Sequence, residues 1–320
     1  MISKVSDADL ADLITKHGVT EAARILNMNA RELHRRRRRI EEVTRTPIIS
    51  PVNKGQINRP RYEHRVELDV YSGLVVVGSD AHYWPGIVST AHRAFVKFCG
   101  EVPNVIAVIM NGDVFDGASV SRHPPIGWES SPSVIQEIEA CQERLGEIEA
   151  AIAKQKGKVA KVWTLGNHDA RFETRLATVA SEYAKIHGVH LKDHFPTWET
   201  AWSVWVNDDV VIKHRYKGGI HATHNNTVNS GKSMVTGHLH SLKVTPFGDY
   251  NGDRWGVDTG TLAQVGGPQF TDYMEDGPSN WRSGFAVLTF HEGRLLWPEL
   301  VHVIDEEAGL VSFRGKVWQV

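Results

Sequence analysis

From about residue 70 onward, short apolar runs alternate with amphipathic stretches. Residues 74–77, 105–110, 159–165, 210–213 and 234–236 are rich in Val, Leu, Ile and Met and carry few charges, which predicts buried strands. Between two of them, Val134, Ile138, Cys141, Leu145, Ile148 and Ile152 recur at steps of four and three, the spacing of one face of a long helix. Cys141 lies within that stripe and reads as core. The alternation of strand-like and helix-like stretches is the mark of an α/β fold. Further on, residues 256–262, 285–290 and 301–304 make the pattern β-rich, and only some fifteen residues follow the last of these runs.

The first 43 residues follow another rule. Leu10, Leu13 and Ile14 give an apolar face to a first helix, which His17-Gly18 breaks. Thr20 is placed to cap a second short helix over 21–26, with Ala22, Ala23, Ile25 and Leu26 facing inward. Asn27-Met28-Asn29 then turns the chain into a third helix, about 30–43, with Leu33 and Ile40 as buried points. Small alanines between two closely crossing helices resemble the helix-turn-helix of DNA-binding proteins. The last helix carries Arg31, His34 and the unbroken run Arg35 to Arg39, too many cations for one face. Arg31, Arg35, Arg36, Arg38 and Arg39 are the expected DNA contacts, mainly to phosphate, with salt-sensitive affinity and little sequence information. A small helical docking or dimerisation module with a basic exterior is the alternative. Pro47, Pro51, Gly55 and Pro60 mark a linker over 44–66, which leaves 67–320 as the main body.

Charge sharpens this division. Residues 1–65 hold 14 Lys and Arg against 8 Asp and Glu, whereas residues 66–320 hold 22 against 30. A basic head on an acidic body points to a polyanionic partner for the head. No apolar run approaches membrane-spanning length and the first ten residues have no signal-peptide core. Two cysteines do not make a disulfide framework. A cytoplasmic protein without a membrane partner is the expectation.

The apolar runs of the body end in potential metal ligands. Asp80-Ala81-His82, Gly112-Asp113-Val114-Phe115-Asp116, Gly166-Asn167-His168-Asp169, His214 and Gly237-His238-Leu239-His240 follow in that order. Carboxylate, imidazole and amide oxygen together suit a pair of divalent cations. Strands of an open α/β sheet deliver their carboxyl ends to a shared crevice, so the five stretches can converge.

This ordered set resembles the calcineurin-like metallophosphoesterase superfamily, whose signature is D-x-H, G-D-x-x-D, G-N-H-D/E, H and G-H-x-H, over roughly residues 70–304. The resemblance implies a four-layer αββα sandwich, two mixed sheets face to face with helices outside. It also implies that Asp80, His82 and His240 hold one metal, Asn167, His214 and His238 the other, and that Asp113 bridges them. Manganese is the first choice, with iron, zinc or nickel open. Such a pair acidifies a bridging water and clamps the phosphate. His168 would be the general acid rather than a ligand. Asp116 would orient it, or be a plain capping residue. The fourth motif departs from the family, because Arg215 follows His214 where glycine is usual. His221 and His224 lie nearby as alternatives, or as groups around the substrate. Arg122, His123 and Arg171 are candidates to grip a phosphate oxygen.

Asp116 is followed by Gly117, so the arginine typical of the superfamily's protein phosphatases is missing. The expected activity is therefore a phosphodiesterase acting on DNA, a nuclease with its substrate held by the head. The pairing loosely resembles metallophosphoesterases encoded by bacteriophages, which would place it in the host cytoplasm. A phosphatase or phosphodiesterase for nucleotides or phosphoproteins, and a DNA-binding regulator with a vestigial metal site, are the alternatives. Helix-turn-helix modules often act as dimers, so a homodimer is expected to be possible.

Overall fold

A computed structural model describes residues 5–49, 62–122, 131–270, 277 and 279–320. The head comprises α1 (Asp7–Ile25) and α2 (Ala30–Thr44). Gly18, at φ +75° and ψ 164°, is non-helical inside α1 and marks a kink across which two helical segments join, so the expected break at His17-Gly18 is present. Leu10, Ile14, Val19, Ala22, Ala23, Leu33, Ile40 and Ile48 form the small core. Ile25, expected to face inward, is exposed. The Asn29 side chain accepts from the Arg31 amide (2.8 Å), capping α2 as its place in the turn predicts. Most of the predicted linker lies outside the described residues.

The body begins with β1 (Arg65–Leu68), β2 (Gly73–Gly78), α3 (Thr90–Glu101), β3 (Val105–Asn111), α4 (Val134–Ile152) and β4 (Ala160–Thr164). It continues through α5 (Asp169–Val179), β5 (Glu199–Ala201), β6 (Ser203–Val206), β7 (Val210–Ile212), α6 (Ala222–Ser230) and β8 (Ser233–Thr236). It ends with β9 (Lys243–Asp249), β10 (Gly252–Asp258), β11 (Gly284–His291), β12 (Arg294–Leu295), β13 (Glu299–Asp305), β14 (Leu310–Phe313) and β15 (Lys316–Gln319). One sheet runs β15-β14-β13-β11-β2-β3-β4-β5, with β12 paired to β11. The other runs β1-β6-β7-β8-β10-β9.

The two sheets pack face to face through the period-2 alternation of their strands. Val75, Val77 and Ile109 point between the sheets to meet Val204, Val206, Ile212, Val235 and Val257. Val76, Val108 and Met110 point the other way, into a core shared with Phe95, Phe98, Cys141, Leu145 and Ile148 from α3 and α4. Helix α6 covers β8, β9 and β10 on the far side. The result is the expected order of layers, helix, sheet, sheet, helix.

Two features of this frame position the site. First, β2, β3 and β4 are parallel neighbours, as are β7 and β8 in the facing sheet, so their carboxyl ends meet at one end of the sandwich. Second, the head meets the opposite end. Pro47 lies against Gly293 in the turn between β11 and β12, and the Gly293 amide donates to Tyr71 O just before β2 (2.7 Å). At about 3.3 Å per residue, the length of β2 alone separates the two ends by roughly 20 Å.

Candidate metal centre

Each ligand-bearing turn leaves its strand abruptly. Asp80, His82, Asp113, His238 and His240 all have positive φ, between 40° and 72°. Non-glycine residues avoid this region, and a cluster of them is the mark of a site whose surroundings hold the backbone in a strained form. The turns brace one another. The Asp80 amide donates to Gly112 O (2.9 Å), His82 N to Asp113 O (2.9 Å) and Gly237 N to His214 O (2.9 Å). Gly112 has φ +85°, and a Cβ there would overlap the His214 ring. A Cβ at Gly237 would overlap the Asp80 carboxylate. The glycines of these motifs are thus demanded by the close approach of the His214 and Asp80 side chains from other strands.

Among the described residues, three groups of side chains have nitrogen or oxygen atoms within 4.8 Å of one another: Asp80, His82 and His240; His82, Asp113 and His168; and Asp113, His214 and His238. His82 and Asp113 each belong to two groups, so the three form one chain. Asn167 joins at the far side, its Oδ1 3.2 Å from His214 Nε2, which is itself 3.1 Å from Asp113 Oδ2. His240 Nε2 is 3.1 Å from Asp80 Oδ1. The donor set fits divalent cations on a further ground. His82 Nε2 and His240 Nδ1 are buried with no hydrogen-bond partner among the described residues. A buried ring nitrogen without a partner is costly unless an ion takes its lone pair.

Outer contacts fix the imidazoles for this task. His82 Nδ1 bonds Asp116 Oδ1 (2.7 Å) and His214 Nδ1 donates to Asn111 O (2.9 Å), so in both rings Nε2 is left to face the cluster. Burial lowers the His82 and His238 pKa values, which keeps both rings neutral. His214 behaves oppositely. Burial pushes it down, but the Asp113 and Asp80 charges dominate and raise it to about 9. Burial likewise opposes ionisation of Asp113, yet His214, His168 and His82 hold its carboxyl well below the usual range. A divalent cation among these groups would supply the positive charge that the buried carboxylates here draw from the imidazoles.

Asp116 makes two contacts where sequence reasoning gave it one. Its Oδ1 meets His168 Nδ1 (3.0 Å) as well as His82 Nδ1, and its own backbone oxygen is 3.0 Å from His168 Nδ1. His168 Nε2 lies 4.0 Å from Asp113 Oδ2 and 3.0 Å from Arg171 Nη2. Arginine has only donors, so in this contact Nε2 accepts and the His168 proton is on Nδ1. Arg171 also donates to Asp116 O (3.0 Å). Arg171 therefore sits against His168 rather than open to solvent.

The other candidates separate. His221 and His224 are exposed and in none of the three groups, so His214 alone of the three histidines reaches the cluster. Arg122 is exposed, and His123 lies outside the described residues. On the head, Arg36 donates to Val5 O (2.9 Å) and Asp7 (2.6 Å), which removes it from the outward set. Arg39 also reaches Asp7 (3.1 Å) but remains mostly exposed. Arg31, His34, Arg35, Arg38, Arg39 and Glu42 line one open concave face.

Asp169 is the residue that sequence reasoning passed over. It is buried and accepts from the amides of Asp113 (2.9 Å), Val114 (3.0 Å), Phe115 (3.0 Å) and Gly166 (2.8 Å), and from Trp163 Nε1 (3.0 Å). It pins the Asp113 turn to the Asn167 turn. Burial and the nearby Asp113 charge raise its pKa to about 6 against the pull of these donors. Its place as last residue of the third motif was the available signal.

Comparison with known proteins adds little constraint. No protein-family model matches the sequence. The chain is 30% identical over 121 residues to the Gene 54 protein of Mycobacterium phage L5, covering 34% of this chain and 45% of that protein. It thus spans less than half the length of this relative. The fold is similar, at a TM-score of 0.34 and 12% identity, to a serine/threonine phosphatase from Saccharomyces cerevisiae with similarity to human phosphatase PP5, over 76% of this chain and 84% of that one. That likeness is too slight to carry an argument, and the reading of the site rests on its own geometry.

Proposed function

We propose that this chain is a dinuclear metal-dependent phosphoesterase of the calcineurin-like kind, that its substrate is DNA, and that the head keeps it on DNA. The observation that carries the hydrolytic reading is the place of Asp113 between two groups of imidazoles, one reached through His82 and one through His214 and His238. Asp80, His82 and His240 would hold one cation, Asn167, His214 and His238 the other, with Asp113 shared. Manganese leads among metals, and the donor set equally accommodates iron, zinc or nickel. A bound pair supplies an acidified water as nucleophile and positive charge for the phosphoryl oxygens.

The protein's own groups complete the reaction. Asp116 holds His168 by Nδ1, so Nε2 is the atom that would give a proton to the leaving oxygen. Arg171 occupies that atom in this structure. An anionic phosphoryl oxygen is a stronger partner for guanidinium than a neutral imidazole, so an arriving phosphate would draw Arg171 away and let Nε2 take up a proton from water, which it could then pass to the leaving oxygen. Asp116 and Asp113 favour the charged ring, although burial opposes it, and the net effect raises the His168 pKa.

The concave face of Arg31, Arg35, Arg38 and Arg39 on α2 supports DNA as the head's ligand. Head and centre lie at opposite ends of the sandwich, so the head raises local concentration rather than presenting the scissile bond. Two copies pairing through their heads would suit neighbouring half-sites. The similarity to a mycobacteriophage protein supports a phage source and the host cytoplasm as location. No helix among the described residues is long and apolar enough to cross a membrane.

The test is cleavage of single-stranded and duplex DNA by the purified chain with manganese. Activity that vanishes in Asp113→Asn and falls sharply in His168→Ala supports the reading, and cleavage surviving both would end it. Removing residues 1–49 is expected to weaken action on DNA while sparing small phosphodiesters. Equal action on both after removal would instead favour nucleotides or phosphoproteins as substrates.

A further inference from the structure

Three cations, Lys213, Arg215 and Lys217, flank His214 in sequence. Arg215, at the place where glycine is usual in the superfamily, is exposed, as is Lys217, and Lys213 is half-buried. None of the three pairs with a carboxylate among the described residues. Elsewhere in the body Lys97 reaches Glu101 (3.1 Å) and Lys161 reaches Glu149 (3.0 Å). Here the ammonium groups of Lys213 and Lys217 lie instead 5.7 and 5.9 Å from the ring centroid of Tyr216, whose face attracts cations. Burial, and then the Arg215 charge, lower the Lys213 pKa. Burial, His214 and Arg215 together lower that of His238 against the pull of Asp80 and Asp113. Coulomb interaction fades with distance, so the guanidinium stands near His238, the least buried member of the Asp113–His214–His238 group.

The backbone that carries these cations is fixed. The Lys213 amide donates to Val235 O (3.1 Å), and its carbonyl accepts from Asn111 Nδ2 (3.3 Å). Buried Asn226 on α6 accepts the Lys217 amide on Oδ1 (3.0 Å) and donates from Nδ2 to Lys217 O (3.4 Å). Lys243 Nζ donates to Ile220 O (2.8 Å). Gathering like charges without a counter-charge is unfavourable, and an arriving anion relieves it. We propose that Arg215 and Lys217, backed by Lys213, form a second anion subsite, which holds the phosphate next to the scissile one in a nucleic-acid strand. The inference rests on the phosphoesterase reading and narrows it: the body selects esters with a neighbouring phosphate over isolated ones. Guanidinium and ammonium bind phosphate oxygens through charge-assisted bonds that read no base. The body thereby follows a strand on its own account, at the end of the sandwich away from the head.

The experiment is calorimetric binding to the manganese-loaded full chain. Arg31→Ala, Arg35→Ala and Arg38→Ala are present throughout, at exposed positions, so that small anions do not collect on the head. The probes are thymidine 3′,5′-bisphosphate, with two phosphates one nucleoside apart as in a strand, and the thymidine 3′- and 5′-monophosphates. The bisphosphate is expected to bind about tenfold more tightly than the better monophosphate, the size of one charge-assisted contact. Arg215→Ala combined with Lys217→Ala should bring this ratio toward one, Arg215→Glu should also lower it, and Arg215→Lys should keep most of it. Both side chains are exposed, so the variants are expected to fold, and each ratio is taken on a single protein. A ratio near one before these changes, or a ratio unchanged in the double variant, overturns the proposal. Hydrolysis of bis(p-nitrophenyl) phosphate tells the two failures apart. If the chain hydrolyses it but shows no preference for the second phosphate, the subsite alone falls. If it hydrolyses no phosphoester and binds none of the probes, both readings fall.

Discussion

Head and body both depend on charge but handle it in opposite ways. In the body, Asp80, His82, Asp113, Asp116 and His214 are buried, and each is held by a partner from another strand or loop. In the head, Arg31, Arg35 and Arg38 stand exposed on one face of α2, while Arg36 and Arg37 are drawn to Asp7 and Glu41. Buried charge must be placed accurately because unpaired burial is expensive. Exposed charge tolerates variation, and its work is screened by salt. A hydrolytic centre needs the first arrangement and a phosphate-tracking surface needs only the second.

This contrast yields predictions of decreasing size. Asp113→Asn should reduce phosphodiester hydrolysis to background and lower metal content, while DNA retention by the head persists in a gel-shift assay. Loss of both functions together would show that the two regions are not independent. His168→Ala should lower kcat by about 10²–10⁴-fold with metal content unchanged, read by steady-state kinetics and elemental analysis. Combined Arg31→Ala, Arg35→Ala and Arg38→Ala should leave small-diester turnover intact. It should also flatten the dependence of log affinity for DNA on log salt by about 2 to 3, at roughly 0.9 per lost phosphate contact.

The smallest effect concerns stability. Glu137 on α4 is buried, accepts from the Ala118 amide (3.2 Å), and has a second oxygen with no hydrogen-bond partner among the described residues. Burial raises its pKa to about 7. The unfolded chain gives up this proton near the ordinary glutamate pKa, so the folded form binds it more tightly. The stabilisation is complete below about pH 4.5 and is lost as pH rises through about 7. Glu137→Gln should therefore be more stable than wild type at pH 8, by about 1–3 kcal/mol in denaturant titration, with the difference vanishing near pH 4. A constant difference across that range would remove the titration argument.

The residues that the structure gathers into the candidate metal centre were legible because the fold puts them directly after strands whose valine and isoleucine runs are unmistakable. The long stripe from Val134 to Ile152 was legible for the same reason and became α4. Strands β9, β14 and β15 were missed, because their residues are largely half-buried or exposed and do not form an apolar run. The role of Asp169 is a set of contacts across turns far apart in sequence. Asp169 gathers amides from residues 113–115, more than fifty positions away. In the head, spacing revealed the buried points Leu33 and Ile40. Which arginines face outward depended on where Asp7 and Glu41 came to rest.

The most direct test of a shared Asp113 is anomalous diffraction from crystals of the full chain grown with manganese. Two peaks are expected, one on each side of the Asp113 carboxylate, the first within reach of Asp80, His82 and His240 and the second of Asn167, His214 and His238. A single peak, or none near Asp113 in an otherwise ordered site, would contradict it.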